Sequence, residues 1–153
     1  MTIRAMFLAA FVATISIIPV HAEASTLSIA KKYVGLHERA NRSSLKRMIG
    51  IDPARVPWCG AWAGFVVRKA GRKPPKGHNM ARSWLRFGKA VKMSSARPGD
   101  VVVLRTRGGA IPRFHVGLLY SKPKGRICLI GGNQRNQVQL SCYAAGNVKA
   151  VRR

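Results

Sequence analysis

Acidic residues are nearly absent from this sequence. Its 153 residues include four, Glu23, Glu38, Asp52 and Asp100, against 28 Lys and Arg, for a formal net charge of +24. A glycosidase built on paired carboxylates needs two of them across one site, and four acids this far apart leave little to build it from. No histidine stands in a His-x-x-x-His spacing and no cysteines form a Cys-x-x-Cys pair. Zinc ligation is therefore not expected, nor is any cofactor. Past residue 20 no apolar run approaches the roughly 20 residues that a spanning helix requires. Internal repeats and low-complexity tails are also missing.

What is present begins with the N-terminus. Met1-Thr2-Ile3-Arg4 is basic, residues 5–20 are apolar apart from Thr14 and Ser16, and Val20-His21-Ala22 offers small residues for cleavage. That order describes a secretory leader. We expect residues 1–22 to be removed, with Ala24 as the alternative cleavage point, and residues 23–153 to form a single domain. No transmembrane segment is expected after removal, and the expected location is secreted or periplasmic. The cations are dispersed, with Lys31-Lys32 and Arg72-Lys73 as short clusters. Such a chain is attracted to polyanions. Export argues against a specific nucleic-acid partner and for peptidoglycan or another anionic cell-wall polymer.

Three cysteines remain: Cys59, Cys128 and Cys142. In an oxidising compartment an odd number suggests one pair and one thiol left over. Cys128 and Cys142 are equally far from Arg135, within two short apolar stretches flanking a polar turn. A hairpin centred there sets them opposite each other, close enough for a disulfide. Cys59 is then the free thiol.

Cys59 lies at the start of a helical pattern. Pro57 suits a first helical position. Trp58, Trp62, Phe65 and Val66 recur at helical spacing, Arg68 and Lys69 occupy the last turn, and Gly71 is a natural stop. Unpaired N–H groups and the helix dipole would favour a thiolate at Cys59. A small buried hydrophobe is the competing reading of the same cysteine.

Other helical patterns cover residues 25–35, with Leu27, Ala30 and Val34 facing inward, residues 45–48 and residues 81–88. After Pro98-Gly99-Asp100 the texture changes to strands: 101–104, 115–120, 126–130, 137–143 and, as a fifth, 147–151. Residues 108–112 read as a loop and residues 131–136 as a turn. Helices followed by an antiparallel sheet are an α+β layout.

A cysteine nucleophile needs a base, and often a third group to orient the imidazole. His115, opening a strand after a loop, is the candidate base. A structural histidine held by a hydrogen bond fits its position equally well. Asn133 is the candidate orienting group and Gln134 the weaker one, although Asn is also a common turn residue.

Pro57-Trp58-Cys59, Ala81-Arg82-Ser83-Trp84-Leu85, Pro98-Gly99-Asp100-Val101-Val102, His115-Val116-Gly117 and Gly131-Gly132-Asn133-Gln134 occur in this order. Together they resemble the NlpC-type and CHAP group of papain-like cell-wall peptidases and amidases, over nearly all of the chain after Ala30. The resemblance implies a nucleophile helix packed on a small antiparallel sheet. By position it implies Cys59 as nucleophile, His115 as base and Asn133 as the orienting residue of a peptidoglycan hydrolase. Phe114 departs from the family, where glycine often precedes the histidine, and is expected either to narrow the cleft or to change substrate access. A non-enzymatic cationic protein binding walls or membranes, with an inactive papain-like fold, is the alternative.

Overall fold

The computed structural model describes residues 21–106 and 113–153, with side chains from Thr26 onward. The expected leader lies almost wholly outside the described residues, and the expected loop 108–112 lies entirely outside them.

Three helices come first: α1 (His21–Lys31), α2 (Arg42–Ile49) and α3 (Cys59–Lys69). A 3-10 helix follows at Ala81–Arg86. Six strands complete the chain: β1 (Ala90–Val91), β2 (Val101–Thr106), β3 (Arg113–Ser121), β4 (Arg126–Gln134), β5 (Gln137–Ala144) and β6 (Val148–Arg152). They form one sheet in the order β1-β6-β2-β3-β4-β5, and every pairing is antiparallel. The α+β expectation holds. The two-residue β1 has no signature of its own; it pairs Ala90 with Arg152 and Val91 with Val151 on β6. Among the described residues no helix is long and apolar enough to cross a membrane.

Both faces of the sheet are covered, which explains the unbroken Val101-Val102-Val103-Leu104. Val101, Val103, Val116, Leu118, Ile130 and Val138 belong to the cluster that holds α3. Val102, Leu104, Leu119, Ile127, Leu129 and Val151 make a second cluster on the opposite side. A strand buried on both faces loses the apolar–polar alternation of a half-exposed one.

Helix α3 is the centre of the first cluster, and every residue from Cys59 to Val67 is buried. The chain at His78 and Asn79 crosses it at Gly60, where an added Cβ would lie 2.4 Å from the His78 carbonyl oxygen. The helix ends as its sequence suggested. Gly71 takes φ +75°, and the N–H groups of Gly71 and Arg72 bond back to the carbonyls of Arg68 and Val67, the double closure that satisfies the last carbonyls. At its other end Pro57 lies outside the helix and Trp58 is the N-cap, with no side-chain cap. Glu38 accepts a hydrogen bond from the Trp58 indole at 3.2 Å instead.

Two local expectations change. Val34 is 48% exposed, because α1 ends at Lys31 before a fourth turn can carry that residue inward. Residues 131–136 are not one turn. β4 continues to Gln134, and Arg135 and Asn136 alone reverse the chain, with φ +51° and +64°. Paired positive φ values match the right-handed twist of the two strands. The register slips between Gly131↔Gln139 and Gln134↔Gln137, and Asn133, at φ +57°, takes up the extra length. Beyond this bulge Cys128 faces Cys142 in register, and the two form the expected disulfide. Cys59 is the free cysteine.

Candidate active site

The N-terminal end of α3, the start of β3 and the end of β4 meet at a cleft of about 690 Å³. Cys59, His115, Asn133 and Gln134 all line it, so residues from three separate parts of the sequence share one surface. Phe114 and Tyr143 form further walls, and Arg113 and Arg135 stand at its exposed rim. Phe114 is thus part of the cleft lining.

Cys59 is 7% exposed. Burial raises its thiol pKa, since an anion loses hydration there; the N–H groups of Val116, Gly60 and Cys59 itself pull the other way. The helix-start effect expected from the sequence is present, and burial outweighs it. The resting thiol is therefore protonated at neutral pH and needs a base.

His115 is 9% exposed and its pKa is pushed down to about 4, mainly by burial, with the Gln134 side chain acting in the opposite direction. It is a neutral imidazole at pH 7, the form that accepts a proton. Its Nε2 is buried without a partner at hydrogen-bond distance. The polar neighbour of that nitrogen is the Gln134 amide. A Cβ on Gly131 would be 3.1 Å from His115 Nε2 and 3.2 Å from Gln134 Nε2, so a glycine there lets ring and amide converge.

Gln134 is 4% exposed and firmly held. Its Nε2 donates to the Gly131 carbonyl at 3.1 Å, to the Leu129 carbonyl at 3.4 Å, and to the Gln139 carbonyl. Its Oε1 accepts from the Tyr143 hydroxyl at 2.5 Å. The Tyr143 ring lies 5.8 Å from the His115 ring. Asn133, next to it, is half-buried and sits on the bulge. Sequence reasoning ranked Asn133 first because nothing local reveals the bulge that turns residue 134 toward His115. It missed Tyr143, whose only sign was its place on the polar side of an alternating strand. Among the described residues no group of three or more His, Cys, Asp and Glu side chains is arranged to hold a metal.

The buried imidazole makes stability depend on acid. Between about pH 6.5 and pH 4 the unfolded chain carries a proton on this ring that the folded chain lacks. Stability is then lost as pH falls through that window, by about 3 kcal/mol below it. We expect His115→Asn to lose less stability than the wild type between pH 7 and pH 4, measured by urea unfolding. An equal loss in both proteins would show that this histidine is not buried neutral.

No protein-family model and no curated protein sequence matches the chain. Solved structures do resemble it. A lipoprotein-like NLP/P60 family protein from Staphylococcus aureus aligns over 90% of this chain with TM-score 0.57 and 16% identity. An NlpC/P60 family protein from Bacillus cereus aligns over 86% with TM-score 0.56 and 15% identity. The P60 domain of a Mycobacterium avium paratuberculosis antigen does so over 86%, again with TM-score 0.56 and 15% identity. The match spans 43% and 39% of the first two proteins and 92% of the P60 domain, so this chain is less than half as extensive as the first two. The helices and the antiparallel sheet therefore have the papain-like fold of these NlpC/P60 proteins.

Proposed function

We propose that the protein is a secreted cysteine hydrolase that cleaves an amide bond in peptidoglycan. The observation that carries this reading is a free cysteine at a helix start and a neutral histidine on a strand opening onto one cleft. The structural likeness to NlpC/P60 proteins supports it, and the disulfide fits an oxidising compartment.

Cys59 is the nucleophile and His115 the base. The thiol proton passes to His115 as Sγ attacks the amide carbonyl. The backbone N–H of Cys59, at the start of α3, is the proposed donor to the oxyanion. The tetrahedral intermediate collapses to a thioester, and the imidazolium gives its proton to the departing amine. His115 then takes a proton from water, which attacks the thioester and releases a carboxylic acid and the thiol. For the orienting residue we propose Gln134 in place of Asn133. Its amide neighbours His115 Nε2, and its own hydrogen bonds hold it there. The large excess of Lys and Arg over acids keeps the enzyme on an anionic wall.

The test is digestion of purified peptidoglycan, with products identified by mass. Soluble fragments ending in a new amine and a new carboxylate are expected, and their masses name the bond. Protein that sediments with the wall and releases nothing would overturn the proposal in favour of a non-enzymatic wall-binding protein.

A further inference from the structure

We propose that Tyr143 is a positioning residue for this site, acting through Gln134 to keep the proton of His115 on Nε2 and leave Nδ1 as the base. The proposal rests on the catalytic reading above.

The observation is a file of hydrogen bonds that all run in one direction. Gln137, Gln139, Ser141 and Tyr143 alternate along β5 and share one side of it. Gln137 Nε2 donates to Gln139 Oε1 at 2.7 Å, and Gln139 Nε2 donates to Ser141 Oγ at 3.0 Å. The Ser141 hydroxyl, having accepted from Gln139, keeps its proton free on the side of Tyr143, its next neighbour in the row. Tyr143 in turn donates to Gln134 Oε1 at 2.5 Å. Gln139 both accepts and donates, an arrangement in which successive bonds polarise one another.

The end of the file has a chemical consequence. Gln134 Nε2 faces three backbone carbonyls, those of Leu129, Gly131 and Gln139. Turning the amide over would set Oε1 against those oxygens and leave the Tyr143 hydroxyl facing an NH₂. Both ends of the amide therefore hold the same orientation. His115 Nε2 has no hydrogen-bond partner, and Oε1 is the amide atom not committed to those carbonyls; an amide oxygen can only accept. A shift that brings the two into contact requires the proton on Nε2, which leaves Nδ1 as the ring's lone pair. A neutral histidine with the opposite tautomer would offer Cys59 an N–H and no base. The cleft side of Tyr143 is lined by Cys59, His115 and the rim residues Arg113 and Arg135. The guanidiniums stand at the exposed rim, so the Tyr143 hydroxyl has its partners within the file.

The experiment uses the full chain with the imidazole nitrogens labelled with ¹⁵N, in a Cys59→Ala background that needs no hydrolysis to be read. The His115 ring is expected to be predominantly the Nε2–H tautomer. Adding Tyr143→Phe is expected to give a mixture. On the wild-type background Tyr143→Phe is expected to lower kcat about tenfold, the worth of one hydrogen bond, with KM within about twofold. Ser141→Ala, at a half-buried position, is expected to shift the tautomer in the same direction by less, and it reads the file if Tyr143→Phe fails to fold. An unchanged tautomer in the folded variants would overturn the proposal. An inactive wild type with the expected tautomer shift would overturn the catalytic reading and leave the positioning intact.

Discussion

Cys59→Ala is expected to release no soluble fragments from peptidoglycan, a loss of at least about 10⁴-fold, because without Sγ no thioester can form. Binding to the wall should persist, since the cations that hold an anionic polymer are untouched. So should the fold. Cys59 is a buried position next to Gly60 and Ala61, and alanine leaves a void no larger than one sulfur atom. Loss of fragments at unchanged melting temperature and unchanged wall binding is the full expected result. Fragment release at the wild-type rate would mean that another group performs the cleavage. The neutral states of both partners sharpen this expectation. A thiol raised by burial and an imidazole lowered to about 4 do not form an ion pair at rest. In the proposed mechanism the proton moves only as Sγ attacks, which makes each partner depend on the other. His115→Ala should accordingly cost nearly as much as Cys59→Ala, and the double variant little more than either alone.

Gly132→Ala is expected to be strongly damaging for a single added methyl. Its Cβ would lie 2.6 Å from the Trp58 ring and 2.7 Å from the Trp62 Cβ. Both tryptophans are fully buried, so neither has room to retreat. Overpacking of this kind costs about 3 kcal/mol, roughly 10 °C in melting temperature for a chain of this size. Activity should fall further than stability, because Trp58 immediately precedes Cys59 while Asn133 and Gln134 immediately follow residue 132. A shift between β4 and α3 therefore separates the two halves of the site. Gly146→Ala is the control: a Cβ there meets nothing within 4 Å, and it should leave both melting temperature and hydrolysis unchanged. Equal stability of the two variants would show that β4 does not press on α3 as closely as described.

The parts of this molecule that were legible in its sequence are those set by neighbours along the chain. Helical spacing from Trp58 to Val66, with Gly71 after it, is enough to draw α3. Short β-branched runs are enough to draw the strands, and equal distances from Arg135 are enough to pair Cys128 with Cys142. The order of these pieces is enough to suggest helices first and an antiparallel sheet after them. Tertiary structure decided what depends on residues brought from afar. β6 reaches back to pair with β2 and β1, which no local pattern records. Burial sets the protonation of Cys59 and His115, because desolvation depends on everything packed around a group and not on its own helix or strand. The bulge at Asn133 sets the Gln134 amide beside His115. The polar row on β5 acquires a direction only because its last member, Tyr143, meets that glutamine across the hairpin. Periodicity and spacing are properties of a line. Proton affinity and close approach are properties of a volume, and the chemistry of this cleft belongs to the second kind.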